Sequence, residues 1–83
     1  MPKDRHAQER YRPRYLVLPE PRGSVEHTTS WVVVDSEVYG SDRYERGRFP
    51  FTQGDQRDRA RAYKEAEALA GRLNARLAWE RAQ

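Results

Sequence analysis

Cysteine is absent from this 83-residue chain, which excludes a disulfide framework and the common cysteine-based zinc sites. Long apolar runs are absent too, and no stretch approaches the roughly 18 consecutive apolar residues of a membrane span. The N-terminus is charged and lacks the apolar middle region of a secretion signal. These absences predict a soluble, cytoplasmic protein with no membrane contact. Apolar residues are scarce in general, 36% of the chain against 35% charged, so a single thin core is expected. At this size one core supplies roughly 3–5 kcal/mol unaided. A partner subunit, a homodimer in the simplest case, or unusually close helix-on-sheet packing is left to make up the rest.

Catalytic patterns are missing as well. His6 and His27 have no second histidine at ligand spacing, and the acidic residues form no DxD or ExxH pattern. The five glycines are isolated, with no GxGxxG or Walker-type loop. Ser24, Ser30, Ser36 and Ser41 lack the strand–elbow–helix setting of a nucleophile. The expectation is a non-enzymatic chain with no cofactor and no metal.

What is present begins with an uneven charge. Residues 1–14 hold Lys3, Arg5, Arg10, Arg12 and Arg14 against Asp4 and Glu9, whereas residues 15–83 hold eleven basic and eleven acidic side chains. The whole net charge of +3 therefore sits on the first segment. With almost no apolar content and Pro13 at its end, that segment reads as a flexible basic arm. Residues 15–83 read as one domain.

Within the domain, Tyr15-Leu16-Val17-Leu18 is a short strand bounded by Pro19 and Pro21, which suits a sheet edge. Residues 19–29 are rich in turn formers. Trp31-Val32-Val33-Val34 is the strongest strand signal, since consecutive valines favour extended backbone. Continued through Tyr39, it places Val32, Val34 and Val38 toward the core and Trp31, Val33 and Tyr39 on the other face. Arg43 to Phe51 returns as a third strand, made irregular by Gly47 and Pro50. Thr52 or Asp55 then caps a helix reaching about Arg81, with Asp58 favourable in its first turn. Tyr63, Ala66, Ala70, Leu73 and Leu77 form its apolar stripe, with Ala62 and Leu69 at the margin. Lys64 with Glu67, Arg61 with Glu65 and Arg76 with Glu80 are expected surface pairs. The fold class is α+β: a small two- to three-stranded antiparallel sheet packed on one long C-terminal helix.

Two surfaces are left over. Trp79 lies about 140° round the helix from the stripe centre, beside Arg61, Glu65, Arg72 and Arg76. Either the last turn frays, or the helix bends and Trp79 folds back onto the sheet edge, or it anchors a partner, since Trp and Arg dominate binding hot spots. The sheet face that carries Trp31 and Tyr39 is the second candidate, covered either by residues 1–30 or by another molecule such as a second copy. A protein partner is thus expected at Trp79, Arg72, Arg76, Arg61, Trp31 and Tyr39. The alternative is DNA or RNA, tracked by Lys3, Arg5, Arg10, Arg12, Arg14, Arg43, Arg46 and Arg48. Glu37, Asp42 and Glu45 flank the same hairpin and oppose a phosphate track.

Trp31, Val33 and Asp35, followed by Phe49-Pro50-Phe51-Thr52, Ala66, Ala70 and Leu73-Asn74, trace a pattern across residues 30–75. It resembles a loose class of small phage and bacterial accessory proteins, in which a WxVxD hairpin precedes an FxT helix ending in LN. The resemblance implies a phage- or mobile-element-like accessory protein. In style the chain is also similar to phage-encoded inhibitors such as anti-CRISPR proteins, which implies an inhibitor or adaptor acting on another protein. A three-stranded sheet backed by one helix is similar, too, to the small DNA-binding domains of phage integrases, which accords with the alternative.

Overall fold

A computed structural model describes residues 13–23, 25–38 and 44–82. Strands β1 (Tyr15–Glu20), β2 (Ser30–Asp35) and β3 (Glu45–Pro50) form an antiparallel meander in that order, and helix α1 (Gln56–Ala82) packs across one face. The sheet has three strands, and the Tyr15 segment is indeed an edge.

Aspartates set the helix start. Gly54, at φ +86°, turns the chain into a conformation that favours glycine. Asp55 Oδ1 then accepts the Asp58 N–H at 3.0 Å, the bond of an N-cap, while Asp58 Oδ2 accepts the Thr52 N–H at 2.7 Å. That second bond, more than the nearby Arg61 guanidinium, holds the Asp58 carboxyl below its ordinary pKa. The helix then runs 27 residues to Ala82.

Its buried positions are three alanines, Ala62, Ala66 and Ala70, so the backbone of α1 lies close to the sheet. Ala66 and Ala70 meet Val33, and Tyr15, Val17, Trp31, Phe49, Leu69 and Leu73 close around them. Helix and sheet come close at Gly47, where a β-carbon would sit 2.6 Å from Leu69 Cδ2 and 3.3 Å from the Phe49 ring. A bulge lies there as well: Val33 faces Gly47 but Val34 faces Glu45, which leaves Arg46 as the extra residue.

Two expectations about β2 are corrected. Val33 and Trp31, not Val32 and Val34, face the helix. All four residues are apolar, so alternation in the sequence cannot choose the face, and the choice falls to what α1 offers. The Trp31 indole N–H donates to the Arg59 carbonyl at 3.2 Å, and its ring meets Tyr63 edge-on at 4.8 Å. The strand also ends at Asp35, because Asp35 Oδ1 accepts the Glu37 N–H at 3.0 Å and folds Ser36–Val38 into a 3₁₀ turn. Tyr39 and the expected turn at 40–42 lie outside the described residues.

The outer margins of the sheet carry distinctive residues. In β1, residues 14, 16 and 18 hydrogen-bond toward β2, as the Ser36 N–H to Arg14 carbonyl bond shows, so Tyr15, Val17 and Pro19 turn their backbone outward. Asn74 of α1 occupies the first of these places: its Oδ1 accepts the Tyr15 N–H at 3.0 Å and its Nδ2 donates to the Tyr15 carbonyl at 3.1 Å. Pro19 has no N–H to offer. On β3 the outward positions include Pro50, since the neighbouring Phe51 N–H points inward to Thr29. Asn74→Ala leaves both half-buried Tyr15 groups without their partner. It should cost about 1–3 kcal/mol, read as a lower midpoint in urea with an unchanged slope. An unchanged midpoint would mean that water replaces the amide without loss.

Candidate contact surface

The basic residues divide into those already engaged within the fold and those left outward. Arg14, expected in a free arm, belongs to the folded body. Its guanidinium binds Asp35 through two bonds, Nε to Oδ1 at 2.8 Å and a second nitrogen to Oδ2 at 2.9 Å. Asp35 is 2% exposed. The bidentate contact and the Glu37 N–H hold its carboxyl below the ordinary aspartate range and raise the Arg14 pKa. Glu37 adds an ion pair to Arg14 at 3.4 Å and one to Arg81 at 3.7 Å, joining the start of β1 to the last turn of α1. A tail-like local sequence concealed this, because the partner lies 21 positions away.

The β3 arginines are engaged too. Arg48 pairs with Glu45 at 2.6 Å. Arg46 lies 5.9 Å from the centre of the Tyr15 ring, which also receives Arg14 at 5.5 Å. Of the candidate phosphate-contacting residues, Arg14, Arg46 and Arg48 therefore make contacts within the chain. Lys3, Arg5, Arg10, Arg12 and Arg43 lie outside the described residues.

On α1 the candidates separate by role. Arg61 is pinned at the helix start by Asp58 at 2.8 Å, Glu65 at 3.0 Å and the Pro50 carbonyl at 3.3 Å. Arg76 pairs with Glu80 at 3.1 Å yet stays largely in solvent. The Lys64–Glu67 pair is not formed among the described residues. Arg72 is exposed, and Trp79 is 65% exposed, well above the other exposed large apolar residue, Tyr63, at 38%. The indole does not fold back onto the sheet. Lys64, Ala68, Gly71, Arg72 and Ala75 are exposed with it on the outer face.

Trp31, the other tryptophan named as a contact, is corrected: it lies between sheet and helix, half-buried against Phe51 and Tyr63. On the face opposite the helix Leu16, Leu18 and the buried Val34 line a cleft of about 430 Å³, edged by Tyr44 and Arg22. Another cleft, of about 410 Å³, lies at the start of α1 and brings Glu26, Asp55 and Arg59 beside Phe51. Among the described residues no group of three histidine, aspartate or glutamate side chains gathers to hold a metal ion. No described helix is long and apolar enough to cross a membrane. Compared with protein families, curated proteins and solved structures, the chain matches none.

Proposed function

We propose that this chain is a non-catalytic binding module that engages a protein through the outer face of α1, in the manner of an inhibitor or adaptor. The observation that carries the reading is Trp79, 65% exposed and flanked by the exposed Arg72 and Arg76. An indole held in water has a large apolar surface to gain from burial, and guanidinium neighbours supply hydrogen bonds around it. The alternating charges of α1 suit the mixed rim of a protein interface. A phosphate track is less well supported, because Arg14 and Arg48 are paired with Asp35 and Glu45 and Arg46 lies over the Tyr15 ring.

The test is affinity capture with wild-type and Trp79→Ala chains side by side. The substitution should abolish capture of the partner while shifting stability by no more than about 0.5 kcal/mol, as for an exposed site. Retention on duplex DNA that falls steeply with salt and is indifferent to Trp79→Ala would favour the nucleic-acid alternative instead.

A further inference from the structure

We infer that the protein which fits the outer face of α1 is a second copy of this chain, its helix lying antiparallel to the first. This rests on the reading of Trp79 as a contact residue and names its partner.

Two independent observations point to a copy. The described core is thin: its buried apolar residues are three valines and three alanines. A domain of this size commonly gains stability from a partner subunit. The second observation is the order of charges along one flank of the outer face. Asp58, Arg61 and Glu65 in the N-terminal half of α1 sum to −1 on this flank, and Arg72 and Arg76 in the C-terminal half sum to +2. A two-fold axis perpendicular to the helices sets this flank against its own copy with the order reversed. Glu65 of each copy then faces the basic half of the other.

The register follows from the sequence. An axis near residue 70 places Glu65 between Arg72 and Arg76 of the second copy. It also places Trp79 beside Arg61 of that copy, a guanidinium already held in position by Asp58 and Glu65 and suited to an aromatic face. The axis falls close to the midpoint of the 27-residue helix, so the two rods overlap along nearly their full length, about 40 Å at 1.5 Å per residue. Ala68, Gly71 and Ala75 lie exposed near the crossing and let the backbones approach. Residues 15–83 carry no net charge, so the bodies do not repel each other.

Light scattering and sedimentation across a concentration series should show the mass of the full-length chain rising from one copy to two. Trp79→Ala should weaken the dimer on the order of tenfold or more. Glu65→Arg should weaken it as well, and adding Arg72→Glu and Arg76→Glu to that variant should restore it. The axis is tested separately, because the chain has no cysteine and a side chain at Gly71 meets only open space. Gly71→Cys should cross-link to itself through a short bis-maleimide. Ala78→Cys, eight positions from the axis, should not, since its copies stand about 24 Å apart along the helix direction. A mass of one copy throughout the series would overturn the pairing while leaving Trp79 open to a different protein. A dimer indifferent to Trp79→Ala would overturn the pairing through this face and leave the reading of Trp79 to the capture experiment. Cross-linking at Ala78→Cys but not at Gly71→Cys would overturn the antiparallel register.

Discussion

Replacing Trp31 with alanine should cost about 3 kcal/mol, the lower end of the range for removing a large aromatic side chain, because the ring is half-buried. That approaches the whole stability of a domain this small, so Trp31→Ala should be largely unfolded near 37 °C. Three contacts are lost together: the edge-on ring of Tyr63 at 4.8 Å, Phe51 at 6.2 Å, and the N–H bond to the Arg59 carbonyl. Trp31→Phe separates them, because it keeps an aromatic ring and loses only the polar bond and some volume. It should cost nearer 1 kcal/mol for the hydrogen bond, with a further loss for the smaller ring. Circular dichroism with urea titration measures both variants. The two tryptophans also differ as reporters: with Trp79→Phe the remaining emission should be blue-shifted, and with Trp31→Phe it should report solvent. A Trp31→Ala chain with an unaltered midpoint would contradict the packing of β2 on α1.

The second large effect is at Asp35. Removing its carboxylate breaks a buried bidentate pair and the bond that ends β2, so Asp35→Ala should lose on the order of 3 kcal/mol. The pH dependence has a definite sign. The folded-state pKa of Asp35 is depressed, chiefly by the Arg14 guanidinium. Its contribution is therefore fully present above the unfolded value of about 3.9. It is lost as pH falls through the lower folded value. Stability should thus drop below about pH 4, and Asp35→Asn should flatten that acid limb while lowering the plateau at neutral pH. Asp58 is shifted the same way, but it is more exposed and should contribute a smaller, salt-sensitive part. Arg14 adds no limb of its own, because guanidinium stays charged throughout this range. Denaturant midpoints from pH 2 to 7 for the wild type and Asp35→Asn make the comparison. An acid limb unchanged in Asp35→Asn would assign it to other carboxylates.

Much of the fold is legible in the residues because its signals are local. Asp55 and Asp58 mark the helix start within a single turn. The spacing of Ala66, Ala70 and Leu73 marks the buried stripe, and Trp79 stands off it by periodicity alone. What escapes is either ambiguous or distant. Trp31 to Val34 are apolar on both parities, so nothing in the run itself says which side the helix will choose. The basic Arg14 sits among residues typical of a tail, and only the buried Asp35 across the β1–β2 pair reveals its role. The amide of Asn74 meets the backbone of Tyr15 across 59 positions, and no local pattern encodes such a bond. The contact residues divide the same way: Trp79 and Arg72 are visible as misfits on a helix, whereas Arg61 becomes a fixed guanidinium only once Pro50 and Asp58 are in place.

Asn74, Pro19 and Pro50 together have a consequence for how this molecule can be recognised. Lateral growth of the ribbon by a foreign strand would meet an amide already seated at one rim and an imino acid at each. That route, which underlies both fibre seeding and promiscuous peptide capture, is poorly open here. Affinity must then be written in side chains rather than in main-chain pairing. Single substitutions should tune it, and concentrated solutions should resist the slow conversion to cross-β deposits that unguarded ribbons undergo.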